Sequence, residues 1–270
     1  MTPTSERPER FEGHRFPQVI PEPGDVQPGS PAPWAALSDS KRSGLTLGKV
    51  ESALRGADRL LATNPPPDQP EEFSIVADSS PAPITLRAAV LVALFEEEGE
   101  THIILTRRAL SLRHHGGEIA LPGGRSERDE TAVATALREA KEEIGLDPQL
   151  VAPLAWLTPI ASFATGSSIW PIIGFLAGRP ALRVDPAEVD RVFTVTLKEL
   201  VAEGAFVEER WRRAVPRVGA DEEGYFPINF YRVPDDVIWG ATARVLTELL
   251  GLVLGVARSG DRGVSDHSSQ

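Results

Sequence analysis

The sequence contains no cysteine. That excludes disulfides, thiolate catalysis and a cysteine-rich zinc site, and it suits a reducing cytoplasm, where the chain is expected to reside. Basic charge is also short: 28 Lys and Arg stand against 39 Asp and Glu, giving a net charge of −11 and a pI near 5.0. Such a surface repels nucleic acid and anionic lipid, so neither is an expected partner, and an anionic ligand must meet a local basic pocket or a cation. No apolar run reads as a membrane span; residues 237–257 come nearest, and Arg244 and Glu248 interrupt them. Residues 1–10 are polar, carry Pro3 and Pro8 and do not read as a signal peptide, and Asp266 to Gln270 lack a peroxisomal address.

At 270 residues the chain can bury one full core with extensions. Residues 1–40, heavy in Pro, Glu, Arg, Gly and Ser, are predicted to be a mostly disordered extension, because they offer little apolar surface against their ordering entropy. Trp34 is the exception, the tryptophan of this segment, expected to dock on the domain. Residues 41–72 read as a helix and a linker. Leu47, Val50, Leu54, Ala57 and Leu61 recur at helical steps over 46–62 despite Gly48 and Gly56, and Asn64-Pro65-Pro66-Pro67 stops them.

The main domain is expected over residues 73–257, with 258–270 as a disordered polar tail. Apolar and β-branched runs predict strands at 73–76, 84–95, 102–107, 154–157, 168–176, 191–195, 206–212 and 225–233, with helices at 197–203 and 237–257. Strands and helices interleaved in this way predict an α/β fold, a single domain whose mixed sheet packs between helices.

The stretch from Gly124 to Leu146 carries the chemistry. Its second half is rich in Ala, Leu, Arg, Lys and Glu, with Gly145 placed as a C-terminal cap and Pro148 beyond, so it is predicted to be helical. Val133, Leu137, Ala140 and Ile144 form an apolar stripe, and Glu139, Glu142 and Glu143 are expected on nearly the opposite side. Glu139 has like charges at i+3 and i+4, which repel by roughly a few tenths of a kcal/mol per pair. Either this is a solvated face, with Arg138 bridging to Glu142, or the carboxylates hold a hard divalent cation, for which Mg²⁺ or Mn²⁺ fits best. The preceding loop, Leu121-Pro122-Gly123-Gly124-Arg125-Ser126-Glu127, favours the cation: it supplies two glycines for close backbone approach, and Glu130 follows.

The spacing is Gly124, five residues, Glu130, seven residues, Arg138-Glu139-Ala140, one residue, Glu142-Glu143, one residue, Gly145-Leu146. It resembles the Nudix hydrolase box at every fixed position. The resemblance implies an α/β/α sandwich and a metal-dependent hydrolase of nucleoside diphosphates linked to another moiety. It implies Glu139, Glu142, Glu143 and Gly123 as ligands of Mg²⁺ or Mn²⁺, the three glutamates serving catalysis. Gly124, Glu130, Arg138 and Gly145 are the remaining motif residues, with Arg138 expected to pair with Glu130 or Glu142. The general base is one of the box glutamates or Glu188, whose segment Asp185-Pro186-Ala187-Glu188-Val189 matches a Glu-Val pair of the resembling family.

Upstream, Leu105, Thr106, Arg108, Arg113, Gly117, Pro122, Gly123 and Gly124 match the additional signature of Nudix enzymes that cleave coenzyme A. Ala109 departs from the usual Ser and Leu121 from the usual Phe, and Ile238 to Ala243 also resembles this subgroup. The resemblance implies coenzyme A or an acyl-CoA as substrate, with Arg108 and Arg113 as phosphate ligands, since guanidinium binds phosphate bidentately. ADP-ribose, NADH or another nucleoside diphosphate derivative are the alternative substrates. A non-catalytic nucleotide-binding module is the other alternative, against which the intact glutamates argue. The resemblance also admits a homodimer.

Overall fold

The computed structural model describes residues 18–21, 23–64, 66, 86–162, 167–212, 220–221 and 223–256. The strand expected at 73–76 and the tail 258–270 lie outside them. The elements in order are β1 (Val26–Pro28), α1 (Asp39–Arg42), α2 (Leu47–Gly56), β2 (Leu86–Glu97), β3 (Glu100–Arg108), β4 (Ile119–Ala120), β5 (Gly123–Arg125) and α3 (Ala132–Ile144). There follow β6 (Ala152–Trp156), β7 (Ile160–Ser162), β8 (Ser167–Phe175), β9 (Val189–Thr196), α4 (Leu197–Leu200), β10 (Phe206–Arg212), β11 (Tyr225–Val233), β12 (Asp236–Trp239) and α5 (Gly240–Leu254).

β2 is the centre of an eight-stranded mixed sheet running β4-β3-β2-β8-β6, with β5 also on β2, β7 on β8 and β9 on β3. It pairs parallel with β8 and antiparallel with β3 and β5. Ala89 and Leu91 to Phe95 are all fully buried, as a strand covered on both faces requires. Alternate residues serve different cores. Val92 and Leu94 pack with Val50 and Leu54 of α2 and Leu246, Leu249 and Leu250 of α5. Ala89, Leu91, Ala93 and Phe95 pack with Ala136, Ala140 and Ile144 of α3. This is the α/β/α layering, with the box helix, among the described helices, alone on one face.

A second, four-stranded antiparallel sheet runs β1-β10-β11-β12, where one sheet had been expected. Its edge is β1, from the segment read as extension: Val26 to Pro28 pair with Trp211 to Glu209. Trp34 docks, 1% exposed, edge-on to Phe206 and stacked on Tyr231. Two helix boundaries need correction. The helix over 46–62 ends at Gly56, because Asp58 takes a left-handed φ of 51° and Leu60 bridges to Ala155 instead. Val237 to Trp239, expected to open the last helix, form β12 against Arg232 to Phe230, and Gly240, at φ 65°, turns the chain into α5. No helix among the described residues is long and apolar enough to cross a membrane.

A docked Trp34 predicts that Trp34→Ala loses about 3–5 kcal/mol of stability. Chemical denaturation of the full chain checks it; a loss below about 1 kcal/mol would show the contact to be incidental.

Candidate active site

The loop after β4 passes close under the sheet. Gly123 and Gly124 sit in β5 against Val90 and Ala89, and a Cβ on Gly123 would stand 2.3 Å from the Ala89 carbonyl oxygen. A Cβ on Gly124 would stand 2.5 Å from the carboxyl carbon of Glu139. Gly123 therefore has to be glycine to meet the strand, and Gly124 leaves the Glu139 carboxylate its present place, which a side chain there would displace. α3 then starts on Thr131, whose hydroxyl accepts from the Ala134 N–H, and stops on Gly145 in the left-handed conformation.

Arg138 fixes the box from within. Its Nε and Nη2 donate to the two oxygens of Glu130 at 2.9 and 3.0 Å, its Nη1 to Glu139 at 3.0 Å and Glu142 at 2.9 Å, and its Nη2 to the Arg125 carbonyl at 2.9 Å. Glu130 also accepts from the Glu127 N–H and the Thr135 hydroxyl, at 3.0 and 2.9 Å. Held chiefly by Arg138, its carboxyl titrates at about 2.

The three helix glutamates do not share one face. Glu142 is 59% exposed in its side chain and turns outward onto Arg138, whereas Glu143 is only 3% exposed. The correction follows from the helix itself, since Glu143 lies only about 60° round from Ala140 and so borders the apolar stripe. Glu143 reaches toward the glycine loop, where the Gly123 N–H donates to it at 3.1 Å, and Arg108 Nη1 stands 3.7 Å from it. Burial pushes its carboxyl up to about 7 against both partners, helped by the charges of Glu139 and Glu188. Burial likewise raises Glu139, opposed by Arg138 and assisted by Glu142 and Glu188.

Glu188, exposed in the turn before β9 and some forty-five residues on in the chain, comes to this end of the sheet through its carbonyl, which accepts from the Ala109 N–H at 2.8 Å, beside Arg108. Arg113 stands apart, exposed on the loop between β3 and β4 and unpaired among the described residues. Ala109 and Leu121, the two departures from the upstream signature, are buried at 5% and 3%. Sequence reasoning missed Thr135, a fully buried polar residue whose position on the inner side of an amphipathic helix was the available signal. It also missed Asp236, which no local pattern marks: buried at 2%, it accepts from Arg107 at 2.7 and 2.8 Å and pairs with Arg191, joining β12 to β3 and β9.

Among the described residues, no three His, Cys, Asp or Glu side chains stand together as a finished ion cage. The donor set nonetheless fits a hard cation. It is all carboxylate, the hard oxygen donors such an ion takes, with Glu139 and Glu143 half-buried to buried beside one another and Arg138 and Arg108 against them.

The sequence profile of the NUDIX domain matches residues 85–215. The NudL protein of Photorhabdus laumondii, called an uncharacterized Nudix hydrolase, is 36% identical over 163 residues, covering 60% of this chain and 82% of that protein. The chain belongs to the Nudix family. The chloroplastic Nudix hydrolase 22 of Arabidopsis thaliana is 39% identical over 176 residues, or 62% of this chain, and this Nudix chain spans only 56% of its length. Among solved structures, a MutT/nudix family protein from Enterococcus faecalis aligns with a TM-score of 0.42 at 16% identity, over 63% of this chain and 62% of that one.

The Arg138 network carries a prediction about acid stability. Glu130→Gln should lower stability at pH 7 by about 1–3 kcal/mol, the worth of hydrogen bonds to a charged group. The folded carboxyl titrates at about 2, so the wild-type advantage is complete above the unfolded value near 4.3 and fades as pH falls through about 2. Urea denaturation at stepped pH measures the gap between the two proteins; a gap constant from pH 7 to pH 2 would contradict the assignment.

Proposed function

We propose that this chain hydrolyses the diphosphate of coenzyme A or an acyl-CoA, with water adding across the P–O–P bridge to give 4′-phosphopantetheine, or its acyl form, and adenosine 3′,5′-bisphosphate. The observation that carries the reading is the placement of the two signature arginines. Arg108 stands at the carboxylate cluster, 3.7 Å from Glu143, and Arg113 is exposed on the adjoining loop with its guanidinium uncommitted among the described residues. A substrate with a diphosphate and a separate 3′-phosphate asks for cationic groups at two such distances. An acidic protein must supply them locally.

Glu139 and Glu143 would hold a divalent cation such as Mg²⁺ or Mn²⁺, with Glu142 joining them by turning from Arg138. When bound, the ion supplies charge neutralisation at the diphosphate oxygens and lowers the pKa of water. The chain's own residues do the rest. Arg108 meets the diphosphate oxygens and keeps Glu143 oriented. Glu188, outside the helix and exposed, takes the proton of the attacking water, a role a carboxylate already serving as ligand fills poorly. Gly123 and Gly124 let the loop lie against β2 and beside Glu139, which holds the Gly123 N–H on Glu143.

With Arg113 holding the 3′-phosphate, Arg113→Ala should raise KM for coenzyme A about tenfold and leave KM for dephospho-coenzyme A within about twofold. Steady-state kinetics on the two substrates decide it, and equal losses on both would remove the role.

A further inference from the structure

We propose that Asp185 is a positioning residue, whose side chain shapes the turn that presents the Glu188 carboxylate to Glu139 and Glu143. The inference rests on the reading of Glu188 given above. The chain reaches this turn already clamped to the box helix: the Arg183 N–H donates to the Ile144 carbonyl and the Asp185 N–H to the Glu143 carbonyl, each at 2.8 Å. These are carbonyls that a helix end leaves without intrahelical partners, so the clamp satisfies the helix as well as the loop. The chain leaves the turn equally fixed, because the Glu188 carbonyl accepts from the Ala109 N–H at 2.8 Å, one residue from Arg108, and Val189 is buried at the start of β9.

Between those anchors the path depends on Asp185. Its carbonyl accepts from the N–H groups of Glu188 at 3.1 Å and Val189 at 2.8 Å. Its Oδ1 accepts from the Ala187 N–H at 2.9 Å, spanning Pro186, which has a fixed φ and no donor of its own. Among the described residues this is the one side-chain hydrogen bond within the turn. Without it, Ala187 and Glu188 are exposed residues with only backbone to hold them. The tie to the Glu143 carbonyl at one end and to the Ala109 N–H, next to Arg108, at the other sets the turn beside the carboxylate cluster.

The test is a mutant cycle on the full chain with two readouts: Mn²⁺ affinity, from the paramagnetic resonance of free Mn²⁺, and kcat and KM for coenzyme A. Asp185→Ala should weaken Mn²⁺ binding about two- to fivefold, through loss of a nearby fixed charge. It should lower kcat about tenfold with KM within about twofold. Asp185→Asn removes the charge and keeps the Oδ1 acceptor, and should stay within about twofold of the wild type on both readouts. In a Glu188→Gln background, Asp185→Ala should cost less than about twofold further. Losses as large in that background as in the wild type, or Asp185→Asn as damaging as Asp185→Ala, would overturn the proposal. Since the Mn²⁺ cycle needs no turnover, inactivity toward coenzyme A with the cycle intact overturns the coenzyme A reading and supports this one. A flat cycle in an active enzyme overturns this one alone.

Discussion

A single guanidinium makes the rest of the site sustainable. Glu130, Glu139 and Glu142 lie within a few turns of one another, and their charges oppose folding unless something cationic sits among them. Arg138 touches all three and the Arg125 carbonyl besides, so it ties the loop before α3 to the helix as it screens the carboxylates. It leaves Glu143 out. That carboxylate is buried beside the glycine loop, and the fixed groups near it, the Gly123 N–H and Arg108, do not bring it down to the ordinary carboxylate range. Arg138 thus pairs the carboxylates it reaches, and burial beside the glycine loop governs the one it does not.

The fold explains why that division is rigid. β2, buried on both faces, serves one core with α3 and another with α2 and α5, so the box helix cannot shift without disturbing the central strand. β5 pairs with the same strand and carries Gly123 and Gly124, which sets the glycine loop and the helix on a common reference. β3 and β9 bring Arg108 and the Glu188 turn to the same end of the sheet, where a register shift between Arg107 and Arg108 re-aims the chain. The buried Asp236 fastens that end to the second sheet through Arg107 and Arg191.

Much of this was legible in the sequence where the chemistry repeats at fixed spacing. The box helix, its caps and the pairing of Arg138 with Glu130 and Glu142 follow from residue types a few positions apart. The direction of Glu143 was less legible: it depends on a loop N–H twenty residues away as well as on its place round the helix. The composition of residues 1–40 argues for disorder, yet a three-residue strand can form there because its partner, β10, lies at the other end of the chain and leaves no local trace. Val237 to Trp239 look helical because apolar content alone does not separate helix from buried strand; the β-branched Val237 and Ile238, followed by Gly240, were the better guide.

The most direct test incubates the purified chain with Mg²⁺ or Mn²⁺ and coenzyme A, dephospho-coenzyme A, ADP-ribose and NADH, and identifies the products by mass. Adenosine 3′,5′-bisphosphate and 4′-phosphopantetheine are expected from coenzyme A, with the highest kcat/KM of the four and none without the cation. Preference for ADP-ribose or NADH, or no product from any substrate with either ion, would contradict the coenzyme A reading.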